Sequence, residues 1–182
     1  MSGYSLAHGV TNVGVSVSKQ TLARRQVRAA LHSIDELIPV PWDLELLVGR
    51  IAEQRGRPIR LLATEFPVGD VSGLWMPVAG ADLICYDREA SPAVREQTIG
   101  HELGHLLMNH LEDRRTGPSV ADQLAAVEVS PALIERFLAR TAYETDIEAA
   151  AEEFGTRLLQ AGHRRRGAAG SDALGRLTGS LR

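Results

Sequence analysis

Residues 95–107 read Arg95-Glu96-Gln97-Thr98-Ile99-Gly100-His101-Glu102-Leu103-Gly104-His105-Leu106-Leu107. Ser91-Pro92 just before them is a helix start, with serine at the N-cap and proline at the first helical position. Each residue of a helix turns roughly 100°, so His101 and His105 project from one face, one turn apart. Two imidazoles so placed have the geometry of a pair of metal ligands. Glu102 lies beside His101 around the helix, where a carboxylate reaches a water at such a metal without ligating it. It can take that water's proton as general base and hand it on to a leaving amine. Ile99, Leu103, Leu106 and His110 fall on the far side, a mainly apolar stripe that anchors the helix on a core. Gly100 and Gly104 each cost about 1 kcal/mol relative to alanine in a helix interior. Two of them one turn apart predict a second element in close approach. The competing reading, a surface helix with two unrelated histidines, explains neither the glycines nor the two-sided pattern.

The remaining composition limits the alternatives. The chain has 182 residues, which suits one domain with tails, and 44% are hydrophobic, enough for a real core. Aromatic residues are only 4%, so that core is aliphatic. A net charge of −3 argues against a domain that works by neutralising phosphates, so no direct nucleic-acid binding is expected. Cys85 is the single cysteine and offers no intramolecular disulfide. Residues 1–20 lack a basic start followed by an apolar run, and no segment has the roughly 18 apolar residues of a membrane span. The expected compartment is the cytoplasm, with no membrane partner.

Along the chain, the spacing predicts helices over Thr21–Leu37 and Trp42–Arg55, the second stopped by Gly56. Strands are expected at Ile59–Phe66, Ser72–Val78 and Asp82–Tyr86, the last two joined as a hairpin through Ala79-Gly80-Ala81. The motif helix is expected to run from Ser91-Pro92 to about Glu112. Gly117-Pro118 breaks the chain, and Ser130-Pro131 starts a helix through Arg140. A last helix is expected over Glu144–Ala161. These readings give an α+β fold: a flexible N-terminal arm over 1–20, a single domain over 21–165 and a flexible C-terminal tail over 166–182.

A catalytic metal needs a third protein ligand and one open position. A third histidine six residues after His105 would supply it, but Leu111 stands there, and His110 on a continued helix points away from the metal face. The last helix carries an apolar stripe of Ile147, Ala151, Phe154, Leu158 and Ala161. Glu148 borders that stripe, with Glu144 and Glu152 one turn to either side. Spacing alone does not choose among the three. Gly155 again predicts a close helix contact.

Residues 95–107, together with Glu148, Ala151, Phe154-Gly155 and Leu158-Leu159, resemble the ImmA/IrrE family of metallopeptidases. The resemblance covers Trp42 to Leu159 and is strongest at these two motifs. It implies a zincin-like fold, with a small sheet of about three strands packed on the active-site helix and further helices. It implies Glu148 as the third metal ligand beside His101 and His105, with Glu102 as the catalytic base. It implies a zinc-dependent endopeptidase acting on a regulatory protein, a helix-turn-helix repressor, in stress or mobile-element control. Zinc suits the ligand type, with manganese or iron(II) as alternatives. The chain departs from the family at Glu152, where asparagine is frequent, and at Gln160-Ala161, where a proline-containing pair is frequent. The first forty residues are too short for the helix-turn-helix domain many relatives carry.

Smaller features complete the expectations. Gly73-Leu74-Trp75 or Asp82-Leu83-Ile84 is a candidate sheet edge for substrate, with Trp75 equally readable as core. Tyr143, His163 and Arg95 are candidates to steady an oxyanion. Arg164-Arg165-Arg166 reads as a solvated helix end. The competing functional class is a metal-containing regulator that binds and displaces a repressor without cutting it.

Overall fold

A computed structural model describes residues 19–66, 72–110 and 145–179. The elements are α1 (Lys19–Ile34), a 3-10 turn (Asp35–Leu37), α2 (Leu44–Arg55), β1 (Ile59–Thr64), β2 (Gly73–Val78), β3 (Ala81–Asp87), α3 (Pro92–Leu107) and α4 (Thr145–Gly179). The fold is α+β, with a three-stranded mixed sheet and, among the described residues, four α-helices. Leu111, Gly117-Pro118, the Ser130-Pro131 helix, Tyr143 and Glu144 lie outside the described residues.

The caps follow the residues that specify them. Ser91 accepts a hydrogen bond from the Val94 N–H at the start of α3, and Asp43 accepts one from the Leu46 N–H at the start of α2. Gly56 closes α2 in the left-handed region at φ 63°. Most boundaries fall within three residues of the sequence reading, and two differ by more. Helix α3 stops at Leu107 rather than near Glu112, because Asn109 turns into the left-handed region at φ 56°. Helix α4 continues past Ala161 to Gly179. Among the described residues no helix is long and apolar enough to cross a membrane.

The sheet order is β1-β3-β2, with β1 parallel and β2 antiparallel to β3. Val78 pairs with Ala81 around Ala79-Gly80, and Gly80 supplies the positive φ of 75° that so tight a hairpin needs. The central place of β3 rules out Asp82-Leu83-Ile84 as a sheet edge, because hydrogen-bonded neighbours occupy both of its sides. Among the described residues, the Gly73-Leu74-Trp75 stretch does lie on an edge strand. Trp75 is also core: its side chain is 4% exposed, and its indole N–H donates to Asp82 Oδ1 at 3.1 Å.

Asp82 is a buried carboxylate that would be costly without partners. Arg55 and Arg57 donate to its Oδ2 at 3.1 and 3.0 Å. Arg57 also donates to the carbonyls of Val78 and Ala81, both at 2.6 Å, which clamps the hairpin. One face of the sheet, through Trp75 and Ile84, joins the main core with Val27, Leu47, Ile51, Ile99, Leu103, Phe154 and Leu158. The other face carries Leu74, Met76 and Cys85. Burial pushes the Cys85 thiol up to about 12, so it stays protonated and unreactive at neutral pH.

Helices α3 and α4 meet at the glycines. A Cβ on Gly100 would stand 3.3 Å from the Gly155 Cα, and one on Gly104 would stand 3.2 Å from the Ala151 Cα. A Cβ on Gly155 would stand 2.9 Å from the His101 backbone nitrogen. Further along α4, Gly162 makes room for the Trp42 ring, and Arg165 donates to the Asp35 carbonyl at 2.8 Å and its Oδ1 at 2.7 Å. Arg165 thus fastens α4 to the 3-10 turn instead of standing free in solvent.

This packing distinguishes two similar substitutions. Gly155→Ala places a methyl against backbone that cannot move aside alone, and it should cost about 1–3 kcal/mol in thermal or urea unfolding. Gly49→Ala in α2 meets nothing within 4 Å and should instead stabilise by up to about 1 kcal/mol. Equal effects from the two would contradict the close α3–α4 approach.

Candidate metal and catalytic site

The α3–α4 contact carries the first turn of α4 past the end of α3. Gly104 faces Ala151, and Glu148, nearly one turn earlier on α4, reaches back with its carboxylate to the imidazoles of His101 and His105. Its Oε2 lies 3.3 Å from His101 Nε2 and its Oε1 lies 3.6 Å from His105 Nε2. The two Nε2 atoms are 2.9 Å apart. The three residues offer ligand atoms that all lie within 4.8 Å of one another. Around a tetrahedral zinc with bonds near 2.0–2.2 Å, ligand atoms stand roughly 3.3 Å apart. Each imidazole has its own Glu148 oxygen near that spacing, Oε2 for His101 and Oε1 for His105, and the imidazole pair falls a few tenths of an ångström short. Two nitrogens and one carboxylate oxygen are the donor set a divalent transition metal takes.

The charges agree with the geometry. Hydrogen bonds to His101 and His105 hold the Glu148 carboxyl down at about 2, so it is ionised throughout the neutral range. Burial pulls both imidazoles down. At His101 that pull is outweighed by the hydrogen bond to Glu148 and the charges of Glu102, Glu148 and Glu152, and the net shift is upward. At His105 burial prevails over the hydrogen bond to Glu148, and the ring is held below its ordinary value, in the neutral form that ligates metals.

Glu102 is 6% exposed, and its Oε2 accepts the Trp75 backbone N–H at 2.7 Å. That amide points away from β3, toward α3, so the edge of the sheet holds the carboxylate. Pro77, two residues on, shares the same edge, where its missing N–H costs no ladder bond. Gly73 leaves the necessary space: a Cβ there would meet Thr98 Cγ2 at 2.3 Å and Glu102 Oε1 at 3.0 Å. Burial pushes the Glu102 carboxyl up to about 7, against the opposing pull of the His101 charge and the Trp75 amide.

Two contacts escaped the sequence reading. Glu152, weighed there as a rival ligand, has its Oε2 3.5 Å from His101 Nδ1, and Gln97 Nε2 donates to its Oε1 at 3.0 Å. The signal was present, since Glu152 lies one turn from Glu148 on the same helix. His110 has its Nδ1 2.9 Å from the Nδ1 of His105. Extrapolating the helix past Leu107 turned His110 away from the site, whereas the left-handed Asn109 folds it back.

The oxyanion candidates fare unevenly. His163 stands about four turns, roughly 22 Å, along α4 from Glu148, beside Trp42 and Glu96. Arg95 pairs with Glu45 and lies over the Tyr86 ring at 4.9 Å. Both are engaged away from the three converging side chains.

No curated protein and no solved structure matches the chain. Residues 54–165, which hold the whole of β1 through α3 and the first part of α4, match the IrrE N-terminal-like domain family, Peptidase_M78. That span is well over half of the sequence, and the chain belongs to this family of peptidases.

Proposed function

We propose that this chain is a zinc-dependent endopeptidase of the HExxH type, with His101, His105 and Glu148 as metal ligands and Glu102 as general base. The observation that carries the reading is the convergence of two imidazoles and one ionised carboxylate on a single point, with a buried carboxylate beside them. Membership of a family whose peptidases are generally metal-dependent supports it. When bound, zinc supplies a Lewis acid that polarises a peptide carbonyl and acidifies water.

The chain's own residues do the rest. Glu102, with a carboxyl near neutrality, accepts a proton from attacking water and returns it to the departing amine nitrogen. The Trp75 amide holds that carboxylate in place. The substrate we propose is a helix-turn-helix repressor, following the resemblance of the two motifs, and the setting is the cytoplasm.

The test uses the purified chain, zinc and the repressor from the neighbouring gene. Native protein should release discrete fragments, and a chelator should stop it. Glu102→Gln should retain zinc and lose cleavage by several orders of magnitude. Derepression that persists in Glu102→Gln without fragments would overturn the enzymatic reading in favour of displacement by binding.

Glu148→Ala should weaken zinc binding by more than the roughly 10–100-fold typical of an outer-sphere change, read by competition with a chromophoric chelator. The control Glu153→Gln, which removes a surface pair with Arg157, should leave it unaltered.

Glu102 also predicts a pH dependence in chelator-treated protein. Its folded carboxyl, near 7, binds protons more tightly than the unfolded one at 4.5. The stability this confers is full below about 4.5 and is lost as pH rises through about 7. Glu102→Gln mimics the protonated form. It should melt with the native protein at pH 4.5 and above it at pH 8, by at most about 3 kcal/mol.

A further inference from the structure

We propose that His110 is a positioning residue for the metal site: its Nδ1 accepts a hydrogen bond from His105 Nδ1–H and so keeps His105 Nε2 directed at His101 and Glu148. The inference rests on the reading of those three residues as ligands.

The placement begins with how α3 ends. Asn109 adopts φ 56°, its N–H reaches the Leu106 carbonyl at 3.3 Å, and the His110 N–H reaches the His105 carbonyl at 3.1 Å. This is a Schellman stop, with Asn109 as the left-handed residue. In such a stop the third residue from the helix end and the second residue beyond the cap, here Met108, come together, ordinarily as an apolar contact. Here those two residues are His105 and His110. Their ring centroids are 5.0 Å apart at 75°, and both side chains are buried, at 1% and 6% exposure.

The chemistry then follows from the ligand role. A neutral imidazole that ligates through Nε2 carries its proton on Nδ1. A buried donor needs an acceptor, and His110 Nδ1 stands 2.9 Å away. His110 therefore carries its own ring proton on Nε2. The partner of His101 Nδ1 is different in kind, the exposed carboxylate of Glu152. Helix termination alone does not call for histidine at position 110, since leucine would supply the usual apolar contact.

That difference supplies the test. His110→Leu retains the contact that stops the helix and removes the acceptor; His110→Asn returns an acceptor oxygen near the position of Nδ1. Zinc affinity of the full chain is measured by chelator competition, alongside the melting temperature of chelator-treated protein. His110→Leu should melt with the native protein yet bind zinc on the order of 10–100-fold more weakly. His110→Asn should bind within a few-fold of native. Native-like zinc affinity in His110→Leu would overturn the inference and leave the ligand assignment standing. Failure of the native chain to bind zinc would overturn both. Should His110→Leu not fold, long-range proton–nitrogen NMR of the zinc-loaded native chain decides. His105 protonated at Nδ1 and His110 protonated at Nε2 are expected, and metal on His105 Nδ1 would refute the proposal.

Discussion

Helices α3 and α4 touch backbone to backbone, and the candidate site exists because they do. With Gly100 and Gly104 on one helix and Ala151 and Gly155 on the other, the axes come close enough for the short reach of a glutamate to meet two imidazoles. Larger side chains at the contact would hold Glu148 off by the width of a methyl or more, and a three-ligand set has little tolerance for that. The glycines weaken each helix taken alone, by about 1 kcal/mol apiece. Burial of Phe154 and Leu158 against Leu103 and Ile99 offsets that, at roughly 1.5–3 kcal/mol for each large side chain removed from water.

The sheet contributes by fixing what stands beside the imidazoles. Arg55, Arg57 and Trp75 converge on the buried carboxylate of Asp82, which locks the β2–β3 hairpin in register. The same Trp75 presents its backbone amide to Glu102. A structural ion cluster and the proposed catalytic base are therefore connected through one residue. Burial raises Glu102 toward neutrality while its amide partner restrains the rise, and Glu148, held by two hydrogen bonds and more exposed, stays fully ionised. Two carboxylates in one site take different protonation behaviour from their surroundings, as suits a base and a ligand.

Much of this was legible in the residues. The helix start at Ser91-Pro92, the stop at Gly56, the hairpin at Ala79-Gly80 and the three strands follow from local propensity and turn chemistry, which act within a few residues. The pairing of His101 with His105 is a matter of helical pitch alone. The close approach at Gly100, Gly104 and Gly155 was also readable, because glycine in a helix interior is costly without a neighbour to justify it. What failed was extrapolation: the reach of α3 beyond Leu107 depended on a single left-handed residue, Asn109, and the extent of α4 beyond Ala161 on contacts such as Arg165 with Asp35.

The sequence by itself thus determined an α+β chain with a two-faced helix bearing His101, Glu102 and His105, since all of that is written in periods of two and 3.6 residues. Three carboxylates on the last helix had equal claims by spacing, and the family resemblance favoured Glu148. Only the tertiary structure decided which atoms meet: Glu148 at both imidazoles, Glu152 behind His101, His110 behind His105, and the Trp75 amide on Glu102. Periodicity reports which face of an element is buried. The crossing of two helices and the edge a strand presents are set by the packing of residues distant in the chain, and no local pattern carries that information.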